Sequence, residues 1–186
     1  MTHHKAISRD MWGQSRESLA LVDGARARGV DITMDQYPYT ASQTTIAALV
    51  PQWAQAGGLD ELLARFDDPE TRRRIRGEIA DRIEHDRGGG DPDNVVISLC
   101  EWDRSLEGQS LADILADRDV ASDFLTAADL VMELIQRGGA RAIYHAMDES
   151  DVERIMQHPS TAIGSDGGVS VFGVGVPHPR EYGTFP

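Results

Sequence analysis

The chain has 186 residues, a formal net charge of −13 at pH 7, 40% hydrophobic and 26% charged residues. That is enough for one domain or a piece of a larger one, and the composition is globular rather than disordered. With 31 acids against 18 bases it lacks the cations that neutralise phosphates, which argues against nucleic acid and anionic lipid, and no apolar run approaches the ~18–20 residues that cross a bilayer.

The start, Met1-Thr2-His3-His4-Lys5, has no apolar stretch behind its lysine and is not read as a signal peptide. A lone cysteine, Cys100, forms no internal disulfide, and a reducing cytoplasm is the expected compartment. Ser15 to Arg28 reads as the first helix: Ser15 as cap, Leu19, Leu21 and Val22 as its apolar stripe, Gly29 ending it in a left-handed turn. Val30 to Met34 follows as a strand that Tyr37-Pro38-Tyr39 stops, because proline cannot extend a central strand. Ala47 to Phe66 reads as small helical pieces around the Gly57-Gly58 break.

Asp68-Pro69-Glu70 is a strong helix start, with an acidic cap and a proline in the first turn, and that helix is expected to reach about His85. Its Arg72, Arg73, Arg74 and Arg76 are interleaved with acids and read as a solvated face rather than a binding patch. After the Gly88-Gly89-Gly90 break, Val95 to Leu99 reads as a buried strand and Leu111 to Asp117 as a short helix. Thr126 to Gln136 is a helix closed by Gly138-Gly139, and Arg141 to Ala146 is extended. Ser150 to Glu153 matches a capping box opening a helix to about Gln157. Thr161 to Gly164 is a last strand, delivering Ser165-Asp166-Gly167 at its end. Helices alternating with short β-runs indicate α/β architecture.

Three places carry reactive groups where an α/β barrel would use them: His3-His4-Lys5, Asp35 to Tyr39, and Ser165-Asp166. Imidazole is a good zinc ligand, and a carboxylate binds the same metal or takes a proton from its water. Each place has a bland reading beside this one. Two histidines near an end can simply be solvated, and Ser-Asp-Gly is common turn chemistry. Cys100 reads as a buried structural thiol, His85 and His158 as helix-end caps, and His145 stays open between roles.

Together these blocks resemble the N-acyl-D-amino-acid deacylases of the amidohydrolase superfamily. Thr2-His3-His4-Lys5 resembles their SHHK segment, Gly13-Gln14-Ser15 with Leu19 their GxS…TL continuation, and Asp35 to Ala41 their DxYPYxA. Ile163 to Gly167 resembles IGSDG, and His178 to Pro186 resembles HPRxxGTFP, all in the family's order. The resemblance implies part of an amidohydrolase-type (β/α)8 TIM barrel: residues 1–186 as its C-terminal portion, strands 6–8, with a helical insertion around 45–130. It implies zinc at the barrel mouth and hydrolysis of N-acyl-D-amino acids to a carboxylate and a free D-amino acid. It further implies His3 and Asp166 as metal ligands, Asp166 as general base, and Lys5, Tyr37 and Arg180 as substrate-facing groups.

Departures from the family pattern carry expectations too. The family's first-strand HxH pair, metal-binding cysteine and fifth-strand histidine have no counterpart here, and Gln43 stands where a serine or small polar residue is usual. The chain alone is therefore expected to bind zinc weakly and to lack measurable turnover, with the missing N-terminal half of the barrel as an expected partner. Two other readings remain open at this point: a dihydroorotase-like cyclic amidase, and a non-catalytic gene fragment.

Overall fold

The structure is a computed structural model that describes residues 1–169, 171 and 173–181. The Tyr182 to Pro186 end of the HPRxxGTFP block lies outside the described residues. In chain order the elements are α1 (Ser15–Ala27), β1 (Met34–Gln36), β2 (Ser42–Thr45), α2 (Gln52–Gln55), α3 (Leu59–Asp67), α4 (Pro69–His85), β3 (Val95–Leu99), α5 (Leu111–Asp117), α6 (Phe124–Gln136), β4 (Arg141–Tyr144), α7 (Glu149–Met156) and β5 (Thr161–Ile163). Short 3-10 turns lie between them.

Two strand systems result. β1 and β5 pair in parallel, Met34 opposite Thr161 and Gln36 opposite Ile163. The segment at His4 adds a parallel bridge to Gln36 on the other side of β1, through His4 N–H to the Asp35 carbonyl at 2.9 Å. Three parallel rows thus end side by side, at His3-His4, at Gln36-Tyr37 and at Ile163 to Asp166. Helices α1 and α7 pack together, and Leu19, Val22, Met34 and Ile155 form the small apolar core of this part.

The second system is antiparallel, in the order β2-β4-β3. Strand alternation sends Val95, Ile97, Ala142 and Tyr144 to one face, where all are fully buried. That face meets the helices α2 to α6. Ile75, Ile79 and Ile83, spaced four apart along α4, form a fully buried stripe against α6, which contributes Ala127, Val131 and Leu134. Burying each such isoleucine is worth about 2 kcal/mol. This is the main core.

Several expectations hold residue for residue. α4 starts at Pro69 with the Asp68 carboxylate accepting from Thr71 N–H at 2.8 Å, and Gly29 sits at φ +87° after α1. Others shift for identifiable reasons. Ser15 does not cap α1: Gln14 holds that position without a side-chain bond, because the Ser15 hydroxyl is engaged by Asp151. The strand expected from Val30 begins only at Met34, since Val30 N–H turns back to the Ala25 carbonyl and the Ile32 carbonyl is taken by the Arg26 side chain. The expected capping box at Ser150 is replaced by Asp148, which accepts from Ser150 N–H at 3.0 Å. α6 opens two residues before Thr126, because Asp123 makes a reciprocal cap with Thr126. β2 went unread; its Ser-Gln-Thr-Thr sequence lacks the apolar signal of a half-buried strand.

Candidate metal and active site

The ends of the three parallel rows bring His3 and Asp166 together. His3 Nε2 lies 3.8 Å from Asp166 Oδ1, with each side chain about half exposed, 50% and 49%. Both residues have left-handed backbones, φ +55° and +54°, a conformation that histidine and aspartate adopt more readily than most residues and that gathers at functional sites. The Asp35 carboxylate steadies His3 by accepting its backbone N–H at 2.8 Å. The neighbouring His4 does a different job. It is 8% exposed, with Nε2 2.8 Å from the Ser18 hydroxyl, and burial holds its pKa below the usual histidine value. So one histidine of the pair faces the mouth and the other packs.

The second Asp166 oxygen accepts from Arg180 Nη1 at 2.8 Å. Arg180 is the hinge of the cluster. Its side chain is only 9% exposed, and the same guanidinium reaches Tyr37 Oη at 3.4 Å and the Gln43 carbonyl at 3.4 Å. Lys5 lies over the Tyr37 ring, 5.0 Å from its centroid. Burial depresses the lysine pKa, helped by Arg87 and Arg180, while Asp166 and Asp35 oppose the shift. Burial pushes the Tyr37 hydroxyl up to about 12 despite the nearby Arg180. Tyr37 therefore serves as a neutral hydrogen-bonding group between two cations. In a chain of net charge −13, this corner gathers Lys5, Arg87 and Arg180.

His178, fully buried, organises the corner from behind. Its Nδ1 accepts the Arg180 backbone N–H at 3.1 Å, so Nε2 carries the proton. That N–H donates to the Ala41 carbonyl at 2.8 Å and lies 3.1 Å from Tyr37 Oη. Burial lowers its pKa, which favours the neutral ring that this bonding needs. A cavity of about 320 Å³ lies behind it, against Tyr39, Ile143 and Val152, away from the solvent-open His3–Asp166 pair.

His3 and Asp166 offer the nitrogen and oxygen donors that zinc accepts, and two donors on one tetrahedral zinc stand about 3.4 Å apart, a small side-chain adjustment from the observed spacing. Among the described residues no group of three or more His, Cys, Asp or Glu is placed to hold a metal ion. Two donors are fewer than the three protein ligands usual for catalytic zinc. The residues present fit part of such a site.

No family model matches the chain. Its whole length aligns with N-acyl-D-glutamate deacylase of Alcaligenes xylosoxydans xylosoxydans at 34% identity, and with D-aminoacylase of the same organism at 31%. The chain resembles the N-acyl-D-amino-acid deacylases from end to end. It spans 28% of the length of each of those two curated deacylases. Among solved deacylase structures, 89% of the chain superposes on 25% of D-aminoacylase with TM-score 0.57 and 30% identity. It also superposes, with TM-score 0.54 and 31% identity, on N-acyl-D-glutamate deacylase from Bordetella bronchiseptica complexed with zinc and a phosphonate inhibitor. The α/β fold is thus that of a region within these deacylases.

The five expected site residues, His3, Lys5, Tyr37, Asp166 and Arg180, meet in one corner. Asp35 was expected among the reactive groups but was given no role, and two contributors were missed: His178 lay inside a quoted block without a role, and Arg87, in the Gly-rich break, had no local signal. Cys100 is buried away from the corner, and burial raises its thiol pKa, as a structural cysteine requires. Arg73 and Arg74 lie on the exposed face of α4 while Arg72 and Arg76 are half-buried, with Arg76 bonded to Asp129 at 2.8 Å.

Proposed function

We propose that this chain is the part of a zinc-dependent N-acyl-D-amino-acid deacylase barrel that carries strands 6 to 8, the rows ending at His3, Gln36 and Asp166. On this reading the antiparallel sheet and helices α2 to α6 form an insertion between the last two strands. It begins near residue 42 and runs to β4, beyond the 45–130 span. The observation that carries the reading is the His3–Asp166 approach at the ends of parallel rows, with Arg180 bonded to the same carboxylate.

Zinc bound by His3 and Asp166, with further ligands from the rest of the barrel, would polarise the scissile amide carbonyl and acidify a bound water. Asp166 then takes the proton of the attacking water and passes it to the leaving amine. Arg180 and Lys5 bind the substrate α-carboxylate, the guanidinium by its planar fork and the ammonium as a point charge. Tyr37 donates its hydroxyl proton to the same carboxylate. The products are a carboxylate and a free D-amino acid.

The test is release of free D-amino acid from N-acetyl-D-amino acids in zinc-containing buffer. It is run with the 186-residue chain alone and with the chain supplied with the remaining barrel portion of a curated deacylase. Turnover in the combined sample that Asp166→Asn abolishes is the expected result, with none from the chain alone. Absence of turnover in both samples, with complex formation verified, would overturn the reading.

A further inference from the structure

Two of the sequence blocks, Asp35 to Ala41 and the one that opens at His178, meet behind the site as a cluster of rings. Pro38 fixes its own φ, and Tyr39 N–H closes a three-residue turn on the Tyr37 carbonyl at 3.0 Å. That turn brings the two tyrosine rings edge to face, with centroids 4.8 Å apart. Tyr39 also meets the His178 ring edge-on, at 4.9 Å and 90°. Aromatic rings prefer such arrangements, and here the three brace one another.

The bonds of His178 leave its ring one tautomer, and the consequence falls on Tyr37. Nδ1 keeps its lone pair to accept the Arg180 backbone N–H at 3.1 Å, so the proton of a neutral ring sits on Nε2. The Ala41 carbonyl and Tyr37 Oη share that proton, at 2.8 and 3.1 Å. Tyr37 Oη thus faces two donors, His178 Nε2 and Arg180 Nη1 at 3.4 Å, and neither can take its own proton. That proton is left for an acceptor entering the corner. Arg180 is held by its backbone as well. Its N–H is clamped by Nδ1, and its carbonyl lies so near Gly167 that a Cβ there would stand 2.6 Å from it. A glycine after Asp166 is what permits this approach.

We propose that His178 is a positioning residue for the deacylation: it makes Tyr37 a one-way donor to the substrate α-carboxylate and seats Arg180 beside it. The proposal rests on the deacylase reading. His178 itself touches no substrate and acts through those two side chains. An imidazole carrying its proton on Nδ1 would lose the Arg180 N–H and offer Nε2 as an acceptor. The Tyr37 hydroxyl would then turn inward and donate to the ring, and the substrate would lose one charge-assisted hydrogen bond. Such a bond is worth about tenfold in affinity.

The experiment begins with the imidazole nitrogen NMR spectrum of the histidine-labelled full chain at neutral pH. His178 is expected to show a bare Nδ1 and a protonated Nε2. A proton on Nδ1 overturns the proposal, and this readout needs neither a variant nor a ligand. N-acetyl-D-alanine is then titrated with zinc present, following backbone amide shifts. His178→Asn keeps an oxygen placed to accept from Arg180 N–H and loses the donor toward Tyr37. It and Tyr37→Phe are each expected to weaken binding by about tenfold, and the double variant no further than either alone. A merely structural role gives losses that add in the double variant, which overturns the proposal and leaves the deacylase reading standing. Absence of binding by the unmodified chain overturns that reading and the proposal with it.

Discussion

The imidazole of His3 and the carboxylate of Asp166 face each other at 3.8 Å from the two extremes of the described chain. Neither position is determined locally. His3 stands there because its row pairs with β1, and Asp166 because β5 pairs with the other edge of β1. The corner is an outcome of strand order.

If the pair shares a zinc ion, each member contributes to the same binding free energy. His3→Ala and Asp166→Asn are each expected to weaken zinc binding by at least roughly tenfold, as loss of one ligand from an incomplete set should. Equilibrium dialysis against zinc with a competing chelator measures it. Affinity unchanged in both variants would show that the metal binds elsewhere.

Arg180 works through its fork. Lysine keeps the charge and loses the ability to hold Asp166, Tyr37 and Gln43 together. Arg180→Lys is expected to weaken N-acetyl-D-alanine binding by about tenfold, the scale of one lost bidentate contact. An amide-shift titration gives the ratio, and equal affinities would mean that the substrate carboxylate does not meet the guanidinium.

Asp151 governs stability. Its buried carboxylate accepts from Gly13 N–H at 2.7 Å, from Ser15 N–H at 3.3 Å and from Arg154 Nη1 at 2.9 Å, besides the Ser15 hydroxyl, so it pins α7 to the start of α1. Burial acts to raise its pKa, but the bonds from Ser15 and Gly13, with Arg154, outweigh it and hold the value below the ordinary 3.8. A depressed carboxylate contributes stability above its unfolded pKa and loses it as pH falls through the folded one. Asp151→Asn is therefore expected to cost about 2 kcal/mol near pH 7, with the gap to the unmodified chain closing as pH falls below 3.8. Denaturant melts at several pH values test this, and a gap independent of pH would contradict the assignment.

Cys100 has no exposed surface, and its thiol pKa is raised, so little thiolate is available for attack. Labelling by a disulfide reagent is expected to be at least roughly tenfold slower in the folded chain than in denaturant. Equal rates would place the thiol at the surface.

How much of this was legible beforehand follows the range of each signal. Asp68-Pro69 at the start of α4 and Gly29 at the end of α1 act within one turn, and their readings held. Ser15 and Ser150 failed as caps because the deciding partners, Asp151 and Asp148, were set by the tertiary arrangement or competed from two residues away. β2 carries almost no apolar residues, so only its pairing with β4 makes it a strand. His178 shows the limit well: its sequence neighbours never hint that it holds the Ala41 carbonyl and the Arg180 backbone and lies against Tyr37.

The sequence by itself determined the helices with strong caps and the α/β character, and its resemblance to the deacylases singled out five polar groups. Tertiary structure alone decided that those five groups share a corner and which of two adjacent histidines faces it. The physical reason is range. Caps and periodicity act over a few residues, whereas strand pairing and burial join residues that the chain holds far apart.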